Sequence, residues 1–142
     1  MMIPFEYLEH TADVKFRAYG TTPDQMLSNA ASALFAAMIP PEQVKTKEFW
    51  PVELEADDLE DLAYQWLSEI VFLFETESAV FSTFLVTLSR GEGGSWRLSA
   101  KIGGERMDPG RHSFLCEVKA VTRHKFAIEK NELYCIQVVL DV

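Results

Sequence analysis

Residues 13–27, DVKFRAYGTTPDQML, contain the change of period that decides the fold. From Val14 to Tyr19 the residues Val14, Phe16 and Ala18 alternate with Lys15, Arg17 and Tyr19, the pattern of a strand with one covered face. Alternation puts Asp13 with the polar set. A helix then starts: Thr22 suits the N-cap, Pro23 stands where no amide donor is needed, and Gln25 can close a capping box. Leu27, Ala30, Ala31, Leu34, Ala37 and Met38 recur at helical spacing until Pro40-Pro41 stops the run.

Working outward, Ile3 to Leu8 reads as a preceding strand, with Glu9 to Ala12 as the turn between the two. Downstream, Phe49 to Leu54 is strand-like, and Pro51 restricts it to an edge or an irregular segment. Asp57 or Asp58 caps a second helix, in which Leu59, Leu62, Ala63, Trp66, Leu67, Ile70, Val71 and Phe74 fit the i, i+3, i+4 template. Its late part, Val71 to Phe74, is apolar all round and is expected to be deeply covered. Strands follow at Val80 to Ser89 and Trp96 to Ile102, then Ser113 to Thr122, Lys125 to Glu129 and Leu133 to Leu140. Gly103 to His112 breaks the pattern and reads as an exposed loop, with Gly91, Gly93, Gly94, Gly103 and Gly104 as turn residues. Grouped strands with two inserted amphipathic helices predict an α+β fold of antiparallel sheets, one domain over residues 1–142.

Composition narrows the function classes. The chain is 48% hydrophobic and 25% charged, without a long apolar run or a positively charged leader, so a cytoplasmic location with no membrane association is expected. A net charge of −9 opposes direct binding of naked nucleic acid, which requires Lys and Arg to displace counterions. Residues 1–96 carry −11 and residues 97–142 carry +2, an asymmetry that suits either a basic partner or a solvated acidic surface. Cys116 and Cys135 lack ligand spacing and read as reduced, packed thiols. Neither a phosphate-binding glycine motif nor a GxSxG nucleophile is present.

The candidate chemistry lies at the chain's two ends. Asp13 stands near the amino terminus, and Asp141 is followed by Val142 and its α-carboxylate. If the first and last strands lie side by side, three acidic oxygen donors converge, a set suited to a hard cation such as Ca²⁺ and otherwise to solvation as separate carboxylates. His10 has no second histidine at ligand spacing and reads as a hydrogen-bonded residue that orients the loop carrying Asp13. Glu105, Arg106, Asp108, Arg111 and His112 form either a reactive cluster or an ordinary charged loop. Glu117 and Lys119 share a strand face with Leu115 and Val121, which leaves a half-exposed sheet and a polar pair beside the acidic cluster both open.

The motifs HTADV from His10, EVKAVTRH from Glu117 to His124, and the terminal VVLDV resemble the archease family, proteins that assist tRNA processing. RAYGTTPDQMLSNAASALFAAM, WLSEIVFLFETE and GGERMDPGRH extend the resemblance over nearly the whole chain. It implies an archease-like fold and an accessory protein that is not itself an enzyme. The implied activity is stimulation of an RtcB-type tRNA-splicing RNA ligase, by promoting its guanylylation and multiple turnover, with tRNA contacted mainly through that partner. The family's calcium ligands match Asp13, Asp141 and Val142, and its resemblance makes His10, Glu105, Asp108, Arg111, His112 and Lys119 candidates for partner contact. Alternatives are a chaperone or specificity modulator of a tRNA methyltransferase and a metal-dependent hydrolase. Glu9, Arg123 and Tyr134 depart from the family pattern, at positions that bear on partner contact and not on Asp13 or Asp141.

Overall fold

The computed structural model describes residues 2–8 and 13–142. Its strands are β1 (Phe5–Leu8), β2 (Val14–Gly20), β3 (Glu48–Ala56), β4 (Ala79–Arg90), β5 (Trp96–Arg106), β6 (Ala120–Lys130) and β7 (Tyr134–Asp141). The helices are α1 (Pro23–Met38) and α2 (Leu59–Glu77). One antiparallel sheet has the order β1-β2-β7-β6 and the other β3-β5-β4, so the fold is α+β as expected.

Local chemistry sets the helix boundaries. Thr22 Oγ1 accepts from Gln25 N at 3.1 Å, while the Gln25 amide oxygen accepts from Thr21 N at 2.7 Å, one residue further back than a standard capping box. Asp58 Oδ1 accepts from Asp61 N at 2.7 Å and starts α2, which Ser78 ends in the left-handed conformation at φ 49°. Both helices contact both sheets. They also satisfy sheet edges: Asp24 Oδ2 accepts from Leu88 N and Ser28 Oγ donates to Phe84 O on β4. On β6, Tyr64 Oη donates to Val121 O and Glu60 Oε1 accepts from Ile128 N.

The apolar sets meet in one core. Phe16 and Ala18 of β2, Ile136, Val138 and Leu140 of β7, and Leu98, Ala100 and Ile102 of β5 turn inward onto the helices. Trp66 is fully buried and its indole N–H donates to Leu27 O at 3.0 Å, so its polar group is satisfied within the core. Phe35 packs edge-on against Phe74 at 5.8 Å and Phe81 at 5.3 Å.

Four expectations need correction. β5 continues through Arg106, so Gly103 and Gly104 are strand residues and not turn residues. Gly104 is required by close approach, since a Cβ there would stand 1.9 Å from Val80 O beside the register shift in β4. Residues 113–119 are not a strand, because their backbone donors find partners elsewhere: Ser113 N on Gln43 Oε1, Leu115 N on Met38 O and Lys119 N on Asp141 O. The two strands expected from Ser113 to Glu129 are replaced by the single β6, which is irregular between Thr122 and Ala127 and has Lys125 at φ 56°. Phe72 is 56% exposed, so the late part of α2 keeps one face in solvent.

The buried ring of Phe74 touches Phe35 and Phe114, both at 5.8 Å. Phe74→Ala should therefore cost about 3–5 kcal/mol of stability and lower the urea and thermal midpoints sharply. An unchanged midpoint would place this helix face outside the core.

Candidate carboxylate site at the strand ends

The β2–β7 register ends with Val14 opposite Leu140, so Asp13, in the bend just before β2, and Asp141, the last residue of β7, adjoin the same end of the pair. It is the second strand, not the first, that lies beside the last, with β1 outside it. Asp141 is exposed and Asp13 half-buried. Like charges directly opposite one another are unfavourable unless a cation or a basic group lies between them.

The site's other side comes from β6. Ala120 pairs with Asp141, and the Lys119 amide donates to the Asp141 carbonyl at 2.8 Å. Lys119, singled out in the sequence, is thereby fixed at the same strand end. Val142 packs its side chain against the core, which holds the residue following Asp141 in place. His10 lies outside the described residues. Among the described residues no three His, Cys, Asp or Glu side chains group as a metal site. Two carboxylate side chains fit a hard, oxygen-seeking cation, but they supply only part of the roughly 6–8 oxygens that Ca²⁺ takes.

Glu105, Asp108, Arg111 and His112 gather elsewhere, about a buried carboxylate. Glu105 is 2% and His112 5% exposed, so these two side chains do not present themselves at the surface, whereas Asp108 and Arg111 do. Arg111 forms a close ion pair with Glu105, Lys45 N donates to Glu105 Oε2 at 2.7 Å, and Lys47 Nζ stands 3.6 Å from Oε1. His112 Nδ1 accepts from Asp108 N at 2.8 Å, which leaves Nε2 to donate to Glu105 Oε2 at 3.1 Å. The Arg111 hydrogen bond, with those from Lys45 and His112, outweighs burial and holds the Glu105 carboxyl at about 2. This cluster is an anchor for the turn after β5.

From that anchor the chain crosses the end of α1. Leu115 N donates to Met38 O at 2.7 Å, Cys116 Sγ lies 3.2 Å from Ala37 O, and Val118 is fully buried. The crossing delivers Lys119 to Asp141. Sequence reasoning missed its anchoring partners, Gln43, Lys45 and Lys47, because nothing local ties them to residues some 60 positions later. Both cysteines are free, and burial pushes their thiols up, away from reactivity.

The fold and site define a small α+β protein with two aspartates at one end of the β2–β7 pair of a four-stranded sheet. Residues 5–142 match the Archease protein family (MTH1598/TM1083). The chain is 42% identical to protein archease of Methanosarcina mazei over 97% of its own length and 95% of the relative's. It is 36% identical to that of Sulfurisphaera tokodaii, over 99% and 100%. The solution structure of Methanobacterium thermoautotrophicum protein 1598 superposes with a TM-score of 0.87 at 34% identity, covering 98% of this chain and 99% of that one. The chain belongs to the archease family.

The Glu105 anchor has a signed pH dependence. Its folded pKa of about 2 lies below the ordinary 4.5, so its stabilisation is full above pH 4.5 and is lost as pH falls through 2. Glu105→Gln should lower the urea midpoint near neutral pH, and the gap from the native protein should close in acid. A gap independent of pH would show that the charge contributes nothing.

Proposed function

We propose that this chain activates an RtcB-type tRNA-splicing RNA ligase, promoting its guanylylation and repeated turnover, through a cation site formed by Asp13, Asp141 and the α-carboxylate of Val142. Membership of the family supports an accessory protein in tRNA processing. The observation that supports the finer reading is the β2–β7 register, which ends with Val14 opposite Leu140 and so leaves Asp13 and Asp141 at the same end of the pair.

Two adjacent carboxylates have hydrogen-bond acceptors and no donors, and their mutual repulsion is relieved by a positive centre. Ca²⁺ would supply that centre and a flexible coordination shell able to accept further oxygens. The chain's own residues hold donors rigidly: Leu140 fixes Asp141 through its pairing with Val14, and the Lys119 amide holds the Asp141 carbonyl. Donors fixed in this way can order ligands in a partner's pocket without contributing a reacting group. The covalent chemistry belongs to the ligase.

Calorimetric titration of the isolated chain should detect modest calcium binding that is lost in Asp13→Ala, and equal heats for both proteins would remove the cation from the proposal. In joining assays with the cognate ligase, GTP and divalent metal, a catalytic trace of the chain should raise the number of joints per ligase molecule and form none alone. Asp13→Ala and Asp141→Ala should abolish stimulation, with thermal midpoints measured to check that both variants stay folded. A carboxy-terminal extension should weaken it by converting the Val142 carboxylate to an amide. If both variants stimulate like the native chain, the mechanism is wrong; if the native chain is inert, action on a tRNA methyltransferase becomes the better reading.

A further inference from the structure

We infer that Arg17 receives a carboxylate side chain of the docked partner, in a groove on the outer face of the four-stranded sheet. The inference rests on the proposed accessory function and adds to it a contact away from the cation site. On β7 the outer face carries Cys135, Gln137, Val139 and Asp141, while Ile136, Val138 and Leu140 enter the core. Arg17 and Tyr19 stand opposite Gln137 and Cys135, and β6 adds Ala127 and Glu129. These side chains line a groove of about 580 Å³, together with Glu132 and Leu133 of the β6–β7 turn. Recognition clefts commonly span roughly 300–1,000 Å³.

What distinguishes Arg17 is an unpaired guanidinium fork. Every other arginine is engaged: Arg97, Arg106, Arg111 and Arg123 pair with carboxylates, and Arg90 lies over Trp96 and donates to Gly94 O. Among the described residues Arg17 has no carboxylate partner, because Glu6, directly opposite it on β1, accepts instead from the Tyr19 hydroxyl at 3.0 Å. Arg17 is nonetheless held. Its Nε donates to Gln137 Oε1 at 3.1 Å, and Gln137 Nε2 donates to Lys125 O at 3.0 Å, which fixes the amide. A guanidinium anchored at Nε keeps both terminal nitrogens for a bidentate oxyanion and loses little freedom on binding it.

Charge decides which oxyanion. Glu129 and Glu132 line the groove and Glu6 faces Arg17, against Lys15 on the next outward position of β2 and Lys125 beside the Gln137 amide. Positive and negative groups here balance, so a polyanion such as RNA gains no net attraction and meets three carboxylates. A protein segment with a carboxylate for Arg17 and a basic group for Glu129 and Glu132 is the complementary occupant.

The groove is also continuous with the proposed cation site. Gln137 precedes Asp141 by four residues on one strand face, about 13 Å. A standard interface buries about 800 Å² on each partner, a disc of roughly 16 Å radius, so one partner face reaches both. A second copy could offer its own Glu129 to Arg17, but it would cover the face that an activating chain has to present.

The test compares the native chain with Arg17→Gln, which removes the fork, Arg17→Lys, which keeps only the charge, and Arg97→Gln, a control on the other sheet. Binding to the cognate ligase with calcium present and joining stimulation against chain concentration are measured, with thermal midpoints as the folding check. The chain alone is titrated with fluorescent RNA and sedimented. Arg17→Gln should raise the dissociation constant and the half-saturating concentration about tenfold or more, with the plateau of stimulation kept. Arg17→Lys should fall between it and the native chain, and Arg97→Gln should match the native chain. Unchanged binding by Arg17→Gln, native binding by Arg17→Lys, equal weakening by Arg97→Gln or a plateau lost at saturation would each overturn the carboxylate receptor. So would a native chain that does not bind the ligase, or an RNA complex or dimer that Arg17→Gln abolishes. Native chain that binds through Arg17 but stimulates nothing would overturn the activating function and leave the docking site standing. Stimulation lost in Asp141→Ala but untouched by Arg17→Gln would do the reverse.

Discussion

The pairing of β2 with β7 is the constraint on which the rest depends. Strand side chains alternate with period two, so slipping this pair by one residue would turn Phe16, Ala18, Ile136, Val138 and Leu140 out of the core together. All five are fully buried. Burying each large apolar side chain is worth about 1.5–3 kcal/mol, so the correct register is favoured by far more than the repulsion between two exposed carboxylates opposes it. Core packing thus fixes which end of the strand pair Asp13 and Asp141 share.

The helices complete the arrangement by doing two jobs at once. Their apolar faces fill the core, and side chains from their rims satisfy the outer edges of β4 and β6. The edges left to β1 and β3 are guarded by other means: β1 has only 4 residues, and β3 carries Pro51. A protein with two open sheets is in this way kept from pairing edge to edge.

Most of this was legible wherever one period ruled a stretch. Thr22, Pro23 and the repeating leucines and alanines announced α1; Asp58 and the Leu59 to Phe74 stripe announced α2; Pro51 placed β3 at an edge. The misreadings occur where a distant partner overrides the local pattern. Residues 113–119 alternate like a strand, yet Gln43, Met38 and Asp141 take their amides. Glu105 reads as a loop charge until Arg111, Lys45 and His112 close around it. Phe72 looks like core in a run of apolar neighbours, and only the absence of a covering layer on that side of α2 exposes it. At the site, Asp13 and Asp141 were visible as residue types, but their adjacency needed the register of two strands more than 100 residues apart in sequence.

Electrostatic range explains why so acidic a chain can still present a selective site. In physiological salt, interactions decay over about 8 Å, so most carboxylates of residues 1–96 act on solubility and not on what approaches the strand ends. The field at the strand ends is set by the nearest charges, among them Asp13, Lys15, Lys119 and Asp141. A diffuse polycation is thus not selected over others by this short patch. The proposed occupant is instead a single compact positive centre shared by Asp13 and Asp141 at one end of the β2–β7 pair. Two carboxylates that repel each other at one strand end would gain from a small cation or one basic group there, and that is the gain the proposed function requires.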